Sequence, residues 1–442
     1  MSTAKEVAMN FRPELSWESL PAEEITAKTV RALRNHIRHV KECSGYYRRE
    51  FASINPDDIQ SLEQFSELPL TDRSTLAGQS SHFLGTEPRN VVETVLTTGA
   101  TGRALPFVYT ASDLERIAFS YALSLHSTGM NAADRVLLPV GLDRCTLDGM
   151  ALYRGAQMTQ ANVLRGSIGM KSPASIHTCL AFFKPTVLVG PASILKSIAE
   201  ESVKNGHDCA KSAVKKIIAT TEAVFSRECT LNAVGTELSR LWGAEVFSLY
   251  GTTELAVSYC TTACESGAHA HPELVYTEIV DDTGKCLPDG VIGELVATPL
   301  GVEGVPLVRY RTGDLTFKVP GTCTCGRNSV RIGPIIGRKG TLLSCGGVKF
   351  QPQVLAAALD SVPGVKDHLT ILERDGGGRE SITIQIAAAP AMLEKAVQAV
   401  KAATGVHIPI LISNVPTIAA MRGSVNAGRS ILDKRGNGTA AG

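Results

Sequence analysis

The sequence predicts an α/β protein: a large N-terminal layered α/β domain with a β unit, over residues 1–336, and a small mobile C-terminal α+β domain over 337–442. Three observations predict it. Between about 90 and 250, short apolar runs alternate with longer amphipathic stretches, the rhythm of strands and helices wound into a largely parallel sheet. After 270 the period drops to two around the turn sequences DDTG and PDG, as antiparallel strands require. A chain of 442 residues also exceeds what one ordinary core serves, and its last ~100 carry helices and strands of their own.

Residues 1–88 are polar and helical in pattern, with apolar positions at helical spacing from Ile25 to Val40 and turn signals at Asn55-Pro56 and Leu68-Pro69. VLLPV (136–140), TVLVG (186–190), KIIAT (216–220) and AEVFSLY (244–250) read as the strands of the layered domain, with helices over 192–204 and 226–242. LVYTEIVDDTGK, GVIGELVATPL and LTFKV make the β unit. Beyond it, helices over 352–361 and 390–403 neighbour the strand-like SITIQIA and IPILIS. GRKG (337–340) is the expected hinge, because glycine tolerates unusual dihedrals.

Composition narrows the function classes. Hydrophobic residues make up 44% and charged residues 20%, and 44 Lys+Arg against 43 Asp+Glu leave a net charge of +1. No bulk field then favours nucleic acid or an anionic membrane. No apolar run reaches the ~18–20 residues that span a bilayer, and MSTAKEVAMNFRPELSWESL lacks an apolar signal core. The eleven cysteines are odd in number and scattered, which argues against a disulfide framework and for a cytoplasmic protein with one metal site.

Three segments carry the chemistry. TTGATGRA runs from Thr97 through Thr98, Gly99, Ala100, Thr101, Gly102 and Arg103 to Ala104. Its glycines and hydroxyls suit a loop that approaches phosphate, although a polar hairpin turn would read the same. It is neither a GxxxxGK[ST] loop nor a GxGxxG fingerprint, and the LPFVYT that follows is strand-like. YGTTE sets Tyr250, Gly251, Thr252, Thr253 and Glu254 at a strand end, where a ring can stack on a base and a carboxylate can hold Mg²⁺. In YRTGD (310–314), Asp314 can accept from both hydroxyls of a ribose. Separately, Cys264, His269, Cys323 and Cys325 form a Cys₃His zinc set, with Cys260 and His271 as alternatives and ordinary thiols as the bland reading. Of the other cysteines (43, 145, 179, 209, 229, 286 and 345), most read as small buried hydrophobes.

In this order, from Thr97 to Gly340, these motifs resemble those of the adenylate-forming enzymes. The short length, the brief β unit and CTCGR (323–327) make the phenylacetate–CoA ligase-like branch the nearest resemblance. By that resemblance Tyr250 contacts adenine, Thr253 touches phosphate and Glu254 coordinates Mg²⁺. TTEA, with Thr221, Glu222 and Ala223, is similar to the adenine loop, and Arg338 in RIGPIIGRKG to a ribose-binding arginine. The branch also places a Cys, a His and a Cys-x-Cys in the regions of the zinc set. The implied reaction activates a carboxylic acid, by branch an aromatic one, with ATP as an acyl-adenylate, and then forms a thioester with CoA. ATP/AMP, Mg²⁺, CoA and a structural Zn²⁺ are the implied cofactors. The partners are the acid and either CoA or a carrier-protein thiol, and a homodimer is open to the chain. The acid is expected near Tyr250 and the 141–154 segment.

Three features depart from the family. Arg103 stands where its phosphate loop has lysine, and the proline comes late, at Pro106. In MRGSVNAGRSILDKRG (421–436) the usual catalytic lysine falls at Ala427, or at Asn426 with a one-residue slip, and Arg422, Arg429 and Lys434 are out of register. Lys339, Gly340 and Thr341 replace the acidic hinge residues. Either another cation substitutes, or adenylation is slow, or the chain is a nucleotide-binding pseudoenzyme. An adenylating enzyme with a carrier-protein or amine acceptor is the other alternative.

Overall fold

The computed structural model describes residues 13, 16–97, 104–140, 146–166, 178–262, 267–339, 343–345, 348–350, 352–374, 380–422 and 431–434. They fall into two compact units, 1–230 with 237–335, and 231–236 with 336–442.

The first unit opens with helices α1 (Ala22–Cys43), α2 (Gly45–Glu50), α3 (Leu62–Ser66) and α4 (Arg73–Gly78). α1 buries Ile25, Val30, Leu33, Ile37 and Val40, the stripe that the apolar spacing predicts. Glu23 and Glu24 in its first turn and Lys41 in its last complement its dipole. Strands β1 (Glu93–Leu96) and β2 (Pro106–Tyr109) pair antiparallel with Leu96 opposite Pro106, so the two strand ends that flank the Thr/Gly-rich segment lie side by side. α5 (Ala111–Ser127) starts at a capping box of Thr110 and Asp113.

The layered sheet follows: β3 (Arg135–Leu138), α6 (Asp148–Met158), β4 (Asn162–Arg165), β5 (Val187–Pro191), α7 (Ala192–Lys204), β6 (Lys216–Thr220), α8 (Ala233–Trp242), β7 (Glu245–Thr252) and β8 (Val257–Cys260). Its order is β4-β3-β5-β6-β7-β8, parallel throughout except for the last pair. The chain leaves β3 for β4 on one side and then crosses to β5 on the other. The winding therefore reverses at β3, and ligands of such sheets sit at the carboxyl edge beside that reversal. α8 starts at Ala233 rather than at 226: Ser226 N donates to Thr230 O across a tight turn, with Cys229 at φ +59°.

β9 (Ala268–His269) pairs with β13 (Arg331–Ile332), and β10 (Val275–Val280), β11 (Gly293–Pro299) and β12 (Tyr310–Thr316) form antiparallel neighbours. β11 is buried along its whole length, so both of its faces are covered despite the two-residue period of the sequence. No described helix is long and apolar enough to cross a membrane.

The second unit contains β14 (Gly337–Arg338), the hairpin of β15 (Leu343–Cys345) and β16 (Val348–Phe350), α9 (Pro352–Asp360), β17 (Asp367–Arg374), β18 (Glu380–Ala387), α10 (Leu393–Thr404), β19 (Ile410–Ser413), α11 (Val415–Arg422) and β20 (Ile431–Asp433). A mixed sheet in the order β19-β18-β17-β20 packs Ile382, Ile384 and Ile386 against Leu355 and Leu359 of α9 and Ala396 and Val400 of α10. This is the small α+β core that the sequence predicts.

Candidate functional site

The carboxyl edge of the parallel sheet gathers the motif residues. β7 carries Tyr250, Gly251 and Thr252, and Thr253 and Glu254 open the return to β8. The turn is tight, with Ala256 at φ +52°, and the Thr252 hydroxyl accepts from Leu255 N at 3.2 Å. A Cβ at position 251 would lie 2.9 Å from the Tyr121 hydroxyl and 3.1 Å from Val257 O, so glycine is what fits there. Tyr109 Oη donates to Thr253 O at 2.7 Å and ties β2 to this turn.

Glu254 meets a residue that no sequence motif marked. Arg73 Nη1 donates to Glu254 Oε1 at 2.7 Å, and its Nη2 to Thr97 Oγ1 at 3.1 Å. Thr97 closes the base of the Thr/Gly-rich segment, donating through N to Leu105 O and accepting Leu105 N at Oγ1, each at 2.9 Å. Thr98, Gly99, Ala100, Thr101, Gly102 and Arg103 lie outside the described residues. Arg73 is the first residue of α4, capped by Asp72, which accepts from Thr75 N at 2.7 Å. Thr71 just before it is bound to β12: its N donates to Arg309 O at 3.0 Å, and Arg311 N donates to Thr71 O at 2.8 Å. Strand β12 therefore fixes where Arg73 stands.

Asp314 belongs to β12 and not to a turn. The β11–β12 register shifts between Glu294 and Val296, and β12 bulges there with Gly313 at φ +78°. Glu294 holds the bulge, accepting Gly313 N at 3.1 Å and Arg311 Nε at 2.8 Å. The bulge presents Asp314 to Tyr250, whose hydroxyl donates to Asp314 Oδ2 at 2.7 Å. The residues expected at adenine and at ribose are thus joined directly.

Of the loop after β6, Thr221 (φ +72°) and Ala223 are exposed. The Glu222 carboxylate accepts Ser193 N at 3.1 Å and Ser193 Oγ at 2.6 Å, anchoring the start of α7. Arg338 lies in β14 of the second unit. Asp148, the first residue of α6, follows β3 on the same carboxyl edge. Burial, and then the Glu254 carboxylate, push its carboxyl up to about 6.

A second cluster holds soft ligands. His269, Cys323 and Cys325 have ligand atoms all within 4.8 Å of one another, and His269 Nε2 is 3.5 Å from Cys325 Sγ. A tetrahedral zinc with bonds of ~2.3 Å to sulfur and ~2.0 Å to nitrogen spaces those two atoms by about 3.5 Å. His269 Nδ1 pairs with Ser329 Oγ at 2.9 Å, which orients Nε2 toward the thiols. Burial holds the ring at about 4, so it stays neutral and able to ligate. Cys264 lies outside the described residues. Neither alternative joins the cluster: Cys260 is in the hydrophobic core, and His271 pairs with Glu18 and with Ser124 Oγ. The nine described cysteines carry thiols and no disulfide. Contrary to the sequence reading, only Cys209 among Cys43, Cys179, Cys209, Cys229, Cys286 and Cys345 is buried, since the others end on half-covered loops, strands and helix ends.

No protein-family model matches the chain. It is 31% identical over 385 residues to a phenylacetate–coenzyme A ligase of Thermus thermophilus, covering 86% of this chain and 84% of the relative. It is 27% identical over 376 residues to the enzyme of that name from Escherichia coli, covering 84% of each. Among solved structures, a 2-hydroxyisobutyryl-CoA ligase in the postadenylation state with 2-HIB-AMP superposes with a TM-score of 0.82 at 21% identity, covering 95% of this chain and 91% of that one. A benzoate CoA ligase from Burkholderia xenovorans superposes at 0.56 and 16% identity, covering 77% and 68%. These structures share the fold.

Proposed function

Because the chain belongs to the phenylacetate–coenzyme A ligase family, we propose that it couples ATP cleavage to the activation of an aromatic carboxylic acid and hands the acyl group to CoA. As an AMP-forming acid–thiol ligase it works in two steps. The carboxylate oxygen attacks the α-phosphorus of ATP and the bond to the bridging oxygen breaks, giving acyl-AMP and pyrophosphate. The CoA thiolate then attacks the acyl carbon and AMP leaves with the bonding electrons.

The residues divide this work. Tyr250 and Asp314, already hydrogen-bonded, would frame the adenosine, with the ring against the base and the carboxylate toward the ribose. Arg338 would add a ribose contact, and Thr221 to Ala223 the edge of the adenine site. Thr97 and the loop to Arg103 would cradle phosphate beside Thr253. Glu254 gives one oxygen to Arg73 and keeps the other for Mg²⁺, a hard cation that takes oxygen ligands. Bound there, Mg²⁺ would neutralise charge on the leaving pyrophosphate. Arg73 holds that carboxylate in place and adds a cation beside the loop. His269, Cys323 and Cys325, with Cys264 as the fourth ligand, would hold a structural Zn²⁺. The first unit would carry adenylation and the second act as its lid, in a cytoplasmic protein.

The observation that carries this reading is the joining of Tyr250 to Asp314 and of Arg73 to both Glu254 and Thr97 on one sheet edge. A pyrophosphate-release screen over aryl and fatty acids, with and without CoA, tests it. Release with aromatic acids, faster when CoA is present, is expected. Silence with every acid overturns the reading, and release that ignores CoA moves the acceptor to a carrier-protein thiol or an amine.

A further inference from the structure

We propose that Arg116 is a positioning residue of the Mg-ATP site: its guanidinium ties the turn that carries Glu254 to the strands beside Asp314, and so sets the spacing between the metal carboxylate and the ribose carboxylate. The inference rests on the ligase reading above and adds a residue that none of the sequence motifs contains. Its first support is the span of the contact. Arg116 lies in α5 and donates to three carbonyls from three separate stretches of chain. Nε meets Leu300 O at 2.6 Å, Nη1 meets Ala256 O at 2.9 Å, and Nη2 meets Leu274 O. Leu274 directly precedes β10 and Leu300 directly follows β11, and Leu300 N also donates to Leu274 O at 2.8 Å. β11 in turn pairs with β12, the strand of Asp314. Ala256 closes the turn two residues after Glu254, with its backbone at φ +52°.

The second support is the group used. Ala256, Leu274 and Leu300 are buried, so their carbonyls need donors, and a neutral side chain would supply one without enclosing a charge. Burial lowers the Arg116 guanidinium to about 10, which still leaves it protonated at neutral pH. No carboxylate pairs with it among the described residues. Asp113, whose charge it feels, is held by the Glu303 and Gly304 amides. A planar fork reaches three carbonyls at fixed angles, which an ammonium or a hydroxyl does not. An alanine in the left-handed region persists only where its surroundings hold it, and Arg116 is the side chain that holds this carbonyl. The other end of the turn is held as well: Tyr109 Oη donates to Thr253 O at 2.7 Å, and Ala256 N to Thr252 O at 3.2 Å. The backbone on both sides of Glu254 is thereby fixed, while Arg73 orients its side chain.

The test uses Arg116→Met, which keeps the aliphatic stem and removes every donor, and Arg116→Lys, which keeps the charge on a single prong. Two quantities are read in each variant. One is the Mg²⁺ concentration for half-maximal pyrophosphate release, at saturating ATP with the fastest acid of the screen above. The other is the affinity for AMP, by calorimetry without Mg²⁺. AMP engages the adenosine end alone, so the two readings separate the ends of the site. Arg116→Met should raise the Mg²⁺ requirement by about tenfold or more, since a displaced group can cost up to about 10²-fold. Arg116→Lys should raise it by about threefold or more, because one prong cannot serve three carbonyls. AMP affinity should stay within about twofold in both, as expected of groups that share no partner. A Mg²⁺ requirement within about twofold of wild type in Arg116→Met, or in Arg116→Lys should the methionine variant not fold, overturns the inference while leaving the ligase reading standing. So does an AMP affinity that falls in step with the Mg²⁺ affinity, which would make Arg116 a brace of the fold at large. Silence of the wild type with every acid overturns the ligase reading and this inference with it.

Discussion

Replacing Arg73 by methionine should impair adenylation more than it impairs folding. The guanidinium stands 2.7 Å from Glu254 Oε1 and 3.1 Å from Thr97 Oγ1, with the Arg73 side chain 22% exposed and that of Glu254 10%. Methionine keeps much of the aliphatic stem and deletes both hydrogen bonds. A hydrogen bond to a charged group is worth about 1.5–3 kcal/mol, and that range corresponds to a loss of roughly 10–150-fold in kcat/KM for Mg-ATP. The effect should grow as Mg²⁺ is lowered, because a Glu254 carboxylate without its orienting cation is a poorer metal ligand. Arg73→Lys should recover part of the loss, restoring the charge but not the two-pronged reach to Glu254 and Thr97. The assay is pyrophosphate release at saturating acid, with ATP and Mg²⁺ varied separately and the melting curve recorded for each variant. Turnover of Arg73→Met within about threefold of wild type at every Mg²⁺ concentration would refute the reasoning. So would a lowered melting temperature with an unchanged KM for Mg-ATP, which would make Arg73 a structural brace.

Two further outcomes are expected. Purified protein should carry about one zinc per chain by elemental analysis, and Cys323→Ser with Cys325→Ser should lose both the metal and part of the melting temperature, since structural zinc contributes folding energy directly. Metal-free protein whose melting is indifferent to chelator would return the cysteines to ordinary thiols. Asp314→Ala should weaken ATP binding by more than about tenfold in calorimetry, and Tyr250→Phe by only about two- to tenfold, because the phenylalanine keeps the ring and loses one hydrogen bond. Unchanged nucleotide affinity in both variants would remove these residues from the adenosine site.

What the sequence disclosed followed its local physics. KIIAT is β6 residue for residue, because a strand buried in a parallel sheet reads as an unbroken apolar run. YGTTE was legible as a strand end, and Cys323 with Cys325 as a knuckle, from residue chemistry alone. Arg73 was not, because its partner Glu254 is 181 positions away and nothing in TDRS announces the pairing. The bulge at Gly313 was invisible for a similar reason: it is a property of the register between β11 and β12, and a single strand does not record its register. The choice between His269 and His271 was equally tertiary. His271 is claimed by Glu18, 253 positions before it, and only His269 is left to face the thiols.

The positions matching the usual C-terminal lysine are Ala427 and Asn426, which lie outside the described residues and carry no charge. The repulsion between an incoming carboxylate and the α-phosphate remains in the reaction, so fast adenylation would need a cation elsewhere to answer it. Preorganised charge acts most strongly where its position is fixed before the reaction begins. Arg73 meets that condition within the first unit: Thr71 beside it is bonded on both sides of its peptide to β12, and Asp72 caps the helix that Arg73 begins. Its two prongs reach the base of the loop proposed for phosphate and the carboxylate proposed for Mg²⁺.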